Sequence, residues 1–285
     1  MTKSTLFIAG ALLGLAAWSA TIGTAAAQSN NAIAAEQACV NDNQHSAYPA
    51  AITDCAQALQ LNPNNATISA ILCIADGMAG TAAATVTSCT QAITLSPQEE
   101  PPYVDRCIAY INLGNYSAAI QDCTQAINLN PKDPLAFGNR CIANLASGNN
   151  TAAVQDCTQA IALNPQSESA YNYRCDANIN LKNFTNAIAD CTQATKLNPQ
   201  YLTAYVDLGN AYFDQKNYAT AITYYNQALA IGPDENGYAN RGMANQALGN
   251  KAQAISDYQN ALKIDPTNQN ALNGLKYYDV KPASQ

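Results

Sequence analysis

Ten cysteines are the residues of this chain best equipped for chemistry, and their spacing is regular. Cys39, Cys55, Cys73, Cys89, Cys107, Cys123, Cys141, Cys157, Cys175 and Cys191 are separated alternately by 16 and 18 positions. Thiols can bond to each other, hold zinc as thiolates or attack as nucleophiles. No C-x-x-C spacing is present, and His45 is the single histidine, so a zinc site lacks its ligands. The same scarcity disfavours Ser-His-Asp and Cys-His catalysis, which need an imidazole in a defined place; His45 reads as a solvated loop residue. Neither a metal nor another cofactor is implied, and disulfides remain. They require an oxidising compartment. Lys3, the apolar stretch from Leu6 to Trp18 and the small residues Ala25, Ala26 and Ala27 read as a secretory signal peptide over residues 1–27. The expected location is therefore periplasmic or secreted, with no membrane span after signal cleavage. Thirteen basic against twenty acidic residues give a net charge of −7, which argues against nucleic acid as a partner.

The two cysteine separations sum to 34, and 34 is also the period of the prolines. Pro63, Pro97, Pro131, Pro165, Pro199 and Pro233 keep it, and Pro266 follows one residue early. Between prolines, Tyr205, Leu208, Gly209 and Tyr212 fall at helical spacing, as do Ala221, Tyr225 and Ala228 after a break at Lys216 and Asn217. Each unit is thus two amphipathic helices and two turns, with proline ending the second helix. The predicted class is all-α, with about seven stacked helical hairpins over residues 32–268. A short segment over 28–31 precedes them, a capping helix over 269–280 covers the last one, and 281–285 form a tail. In such a hairpin Cys107 and Cys123 are equidistant from the turn near Asn115 and should face each other. The pairing predicted is Cys39 with Cys55, Cys73 with Cys89, Cys107 with Cys123, Cys141 with Cys157 and Cys175 with Cys191. Pairing across the 18-residue gaps is also roughly symmetric about a turn, but it would strand Cys39 and Cys191.

An aromatic residue, then Leu-Gly, then an aromatic, followed by alanine, aromatic, alanine and proline, resembles the tetratricopeptide repeat. The unit from Leu202 to Glu235 carries the pattern best. The resemblance implies a right-handed superhelical solenoid whose first helices line a concave face that captures peptides or proteins. This chain departs from the family by placing cysteines where glycine and an aromatic are usual. In the last two units Gly209 with Tyr225 and Gly242 with Tyr258 keep the usual pair. A ring above a glycine and a disulfide are two ways to fill one space.

A second pair varies together. Arg106, Arg140, Arg174 and Arg241 occur in the same units as Asp122, Asp156, Asp190 and Asp257. The second and sixth units lack both, and the first has Asp54 alone. An inter-helix ion-pair ladder is the expectation, because a fold requirement recurs with the fold. Carrying over the family's concave positions, the groove would be lined by Ile74, Met78, Val104, Ile108, Ile111, Leu135, Ile142 and Leu145. It would turn polar at Asn172, Asp176, Asn180, Asn210 and Asp214, and so would suit a peptide with some positive charge. Some of these isoleucines could equally pack between helices. The family's clamp for terminal carboxylates is absent, since Ala70, Val104, Gly138, Asn172 and Val206 hold its positions. Function is read as a non-enzymatic protein-interaction scaffold with a protein or peptide partner. Two alternatives stay open: an enzyme or small-ligand binder, because disulfide-stapled Sel1-like repeats are similar in design, and a self-assembling envelope protein.

Overall fold

The computed structural model describes residues 25–282, so the signal peptide expected over 1–27 lies outside them but for its last three residues, as does the end of the tail. The chain divides into two compact units, the first ending at Pro97 and the second beginning at Gln98. The first unit holds two hairpins: α1 (Ala25–Gln44) with α2 (Tyr48–Leu61), and α3 (Ala66–Met78) with α4 (Ala82–Leu95). Residues 28–31, expected as a lead-in segment, are instead part of α1. The second unit holds five hairpins: α5 (Pro101–Asn112) with α6 (Tyr116–Leu129), α7 (Pro134–Ala146) with α8 (Asn150–Leu163), α9 (Glu168–Asn180) with α10 (Phe184–Leu197), α11 (Leu202–Asp214) with α12 (Tyr218–Ile231), and α13 (Glu235–Ala247) with α14 (Lys251–Ile264). A final helix, α15 (Gln269–Tyr277), packs on α13 and α14. The described residues contain no strand.

Local chemistry explains the boundaries. Several helices begin where a polar side chain caps free backbone N–H groups: Asn115 accepts from Ala118 N at 3.3 Å, and Asp133 accepts from Leu135 N and Ala136 N at 3.0 Å. Each second helix is followed by one residue and then a proline, and in four of the seven that residue is asparagine. Asn130, Asn164 and Asn198 each accept a bond from the backbone N–H two residues on, turning the chain over the proline. The turn inside each hairpin needs one left-handed residue. Gly80, Gly114, Gly148 and Gly249 supply it without strain, whereas Ser46, Lys182 and Lys216 adopt φ near 60° despite a side chain.

The interior is built of small residues. Alanines and cysteines dominate the fully buried set, and the bulky members among them are few, chiefly Tyr225, Tyr258, Leu208 and Leu275. Small side chains let helices approach closely but remove little apolar surface from water apiece, so each hairpin gains little from burial alone. Covalent staples compensate. The five within-unit pairs are all bonded, with Cα separations from 4.7 to 5.6 Å, and no described cysteine is free.

Candidate functional site

Helix order sets which faces remain open. In the second unit each odd-numbered helix touches both its hairpin partner and the next odd-numbered helix, while the even-numbered helices make no contact with one another. The odd helices therefore form a continuous inner layer, and the even helices splay on the outside. In the first unit α1 contacts α3 in the same way.

Four arginines tie the layers of the second unit together. Arg140 donates from Nε and Nη2 to the two oxygens of Asp156 at 2.9 and 2.6 Å, and from Nη1 to Thr124 Oγ1 at 3.1 Å. One guanidinium thus joins α7 to α8 and to α6 of the preceding hairpin. Arg174 repeats the arrangement with Asp190 and Thr158, and Arg241 with Asp257 and Asn226. Arg106 grips Asp122 at 2.7 and 2.8 Å, and this carboxylate leads the influences that raise its pKa. Each guanidinium also lies within 6 Å of an aromatic ring on its own helix: Tyr103, Phe137, Tyr171 or Tyr238. A third member went unrecognised in the sequence. Asn144, Asn178 and Asn245, each four residues after its arginine, donate to the same aspartates at 2.9, 3.4 and 3.0 Å. The recurring Arg-x-x-x-Asn spacing was the available signal. With its charge matched by a guanidinium, each buried aspartate serves the fold.

The open inner face is of a different character. On α5 and α7, Ile108 and Leu135 are exposed, Leu135 to 55%. Ile111 and Leu145 pack instead against the hairpin cores around Cys107 and Cys141, and Ile142 is half-buried. Val104, expected to line the groove, is only 7% exposed and belongs to the interior. The corresponding residues of the first unit are Ile74, half-buried, and Met78, 60% exposed.

From α9 onward the face turns polar. Asn172 is buried rather than surface-lining, and its Nδ2 donates to Asp207 Oδ2 at 3.0 Å. Asn210 Nδ2 donates to the other oxygen at 3.4 Å, while Asn210 Oδ1 accepts from Tyr225 and from Asn240, both at 2.9 Å. This chain of side chains runs from α9 through α11 to α12 and α13, and Asp207 is its terminal acceptor. Burial pushes the Asp207 carboxyl up to about 7, the charge of Asp176 adds to the rise, and the two amide bonds oppose it. Burial likewise raises Asp176. Asp214 is exposed at the end of α11, and Asn180 donates to Asn150 at 3.2 Å. At the start of the unit, burial holds Asp105 at about 6 and, with the bond and charge of Asp133 and the charge of Asp105, lifts Glu100 to about 7. Asp207 escaped the sequence reading although Asp105 holds the equivalent place three units earlier, because the units between carry Asn139 and Tyr173 there.

Profiles described as "Tetratricopeptide repeat" match residues 108–133, 176–236 and 236–268. No curated protein matches the chain. Among solved structures, a tetratricopeptide repeat protein from Parabacteroides merdae superposes with a TM-score of 0.68 at 18% identity, covering 87% of this chain and 98% of that one. The Cut9–Hcn1 hetero-tetramer of the APC/C gives 0.67 at 20% identity, over 81% of this chain and 48% of that one. YrrB, described as a TPR protein with an unusual peptide-binding site, gives 0.52 at 16% identity, over 67% of this chain and 99% of that one. At such identities these likenesses show the fold. Repeat profiles and helix order together show that the chain carries tetratricopeptide repeats, five of its hairpins being stapled by cysteines.

Proposed function

We propose that this protein is an exported, non-enzymatic scaffold that holds a protein or peptide partner against the inner helix face of its second unit. The observation that carries the reading is the division of labour among the polar groups. Four outer carboxylates are each gripped by arginine, while the odd-numbered helices keep Ile108 and Leu135 exposed and hold the half-buried Asp176 and Asp207 without a cationic partner. Rigid, evenly spaced helices presenting such a face suit an extended or helical segment. A peptide-binding site in a structural neighbour, YrrB, supports the reading by analogy. Five buried disulfides fit an oxidising, extracytoplasmic setting, and no described helix is long and apolar enough to cross a membrane.

A photocrosslinking amino acid placed at Leu135 or Asn210, with Gln159 and Gln227 on the outer helices as controls, tests this in the native cell. Adducts to another protein from the inner positions alone are expected. Adducts from the outer positions alone, or a product consisting only of a second copy of this chain, would sink the scaffold reading.

A further inference from the structure

In the second unit, arginine meets aspartate wherever the fold itself needs a charge balanced. Asp122, Asp156, Asp190 and Asp257 each receive a guanidinium at 2.6–2.7 Å. Asp207 receives only two neutral amides, at 3.0 and 3.4 Å, and its charged neighbours Asp176 and Asp234 share its sign. Nor is a cation held in reserve nearby. Among the described residues of this unit every arginine is committed to an outer aspartate. Each lysine lies in a turn or linker, on an even-numbered helix or α15, or beyond α15: Lys132, Lys182, Lys196, Lys216, Lys251, Lys263, Lys276 and Lys281. The inner face is therefore a helix surface with a single sign of charge, partly withdrawn from water, where an approaching cation gains more than it would at an ordinary exposed carboxylate. The Asn172, Asn210, Asn240 and Tyr225 chain holds the Asp207 carboxylate in place before any partner arrives.

Ile108 and Leu135, the exposed apolar side chains of α5 and α7, share their end of the unit with Asp105 and Glu100, and Asp176 and Asp207 lie further along. Leu135 on α7 and Asp207 on α11 are separated by α9, which contacts both helices. Two helix spacings are roughly 20 Å, a span that an extended peptide crosses in about six residues.

We infer that the partner segment is cationic and extended, with a leucine-like side chain against Ile108 and Leu135 and, about six residues away, a lysine or arginine seated between Asp176 and Asp207. The inference rests on the scaffold reading above and adds the chemistry of the occupant.

The test uses the full mature chain with its disulfides intact and three acetylated, amidated fluorescent dodecapeptides. The first carries two leucines followed, six residues on, by two lysines; the others replace the lysines by glutamine or by glutamate. Anisotropy should show binding in the order lysine, glutamine, glutamate. The double variant Asp176→Asn with Asp207→Asn should weaken the lysine peptide by roughly tenfold to a hundredfold, the worth of charge-assisted bonds. At pH 8, where Asp207 is ionised, Asp265→Asn with Asp279→Asn, which removes two carboxylates outside the helices of this face, should leave binding within about twofold, because exposed distant charges are screened. Circular dichroism melting of both variants verifies that they fold. If the glutamine or glutamate peptide binds as well as the lysine peptide, or both double variants weaken binding equally, the cationic assignment is wrong while the scaffold stands. If no peptide binds although Leu135 crosslinks a partner in cells, the assignment is again wrong and the scaffold survives. Only failure of both experiments removes the two together.

Discussion

The ring of Tyr258 packs so closely on Gly242 that a Cβ built on the glycine would stand 2.7 Å from Cε1, and Gly274 on α15 crowds the ring from another side. A tyrosine is thus held between three helices by the absence of two side chains. Gly242→Ala should therefore cost about 1–3 kcal/mol through overpacking. Gly138→Ala, in the middle of α7 with open space around its missing Cβ, should instead be neutral or stabilising by up to about 1 kcal/mol, because alanine is the better helix former. Urea unfolding of the two variants decides it, and equal effects would refute the packing account.

Gly209 and Tyr225 form the same kind of contact in the hairpin of α11 and α12, at the positions taken by paired cysteines in the earlier hairpins. The double variant Gly209→Cys with Tyr225→Cys should therefore close a sixth bridge unaided when the protein is made under oxidising conditions. Its loop matches the other five in length, so the staple is worth roughly 3 kcal/mol, offset by the buried ring it replaces. Mass spectrometry of unreduced fragments is the readout. Two free thiols in the folded variant would show that the ring and the bridge do not occupy equivalent space.

Every disulfide cysteine is fully buried at 0% exposure. Reductant must then wait for local opening, and the folded protein should keep its bridges in dithiothreitol at 25 °C far longer than in the presence of moderate urea. Once reduced, the hairpins up to Cys191 lose roughly 3 kcal/mol of constraint each, whereas those from Leu202 onward lose none directly. Hydrogen exchange before and after reduction should show protection falling first between Cys39 and Cys191. A uniform loss along the chain would count against local stapling.

The helix ends and the ion-pair ladder, which recur at the 34-residue period, were legible in the sequence, whereas the buried acids Asp105 and Asp207, which share a repeat position but skip the two units between, were not. Proline at a nearly fixed period marks the end of every second helix because no residue can evade its missing N–H. The arginine and aspartate ladder betrayed itself by coming and going together. Asn144, Asn178 and Asn245 recur too, yet an asparagine on a helix reads as solvent-facing polarity until the carboxylate it serves is placed beside it. Val104 and Asn172 sit at positions expected to line the groove, but neighbouring helices cover them. Periodicity fixes the face a residue points toward and leaves open how far the next helix reaches over it.

The ladder is expected to behave as a unit. Asp156→Ala strips Arg140 and Asn144 of their shared acceptor and should cost about 3–5 kcal/mol, as leaving a partly buried charge unmatched does. Replacing both charges by Arg140→Leu with Asp156→Ser, the combination that Leu72 and Ser88 already use in the second hairpin, should recover much of that loss. A thermodynamic cycle measured by denaturant unfolding gives the coupling. Additive losses would show that the contacts are independent surface bonds.

The acidity of the inner face should be visible as a stability that declines with rising pH. Asp207 and Glu100 sit near 7 and Asp105 near 6 in the folded chain, all raised chiefly by burial. Their unfolded counterparts titrate at ordinary carboxylate values. Between about pH 4 and pH 7 the folded state therefore keeps protons that the unfolded state has released. Stability is fully supported below the unfolded values, falls through that window and levels off above it, the reverse of the trend for an aspartate paired with arginine. For Asp207 the difference is on the order of 2 kcal/mol after discounting for solvent. Asp207→Asn removes the titration and keeps the side chain's shape, so the variant should match the parent only below about pH 4 and exceed it by a growing margin up to pH 8. Urea unfolding across this range is the measurement. A parent that gains stability from pH 5 to pH 8, or a variant whose curve merely runs parallel to it, would mean that Asp207 is better solvated than its place between Asn172 and Asn210 implies.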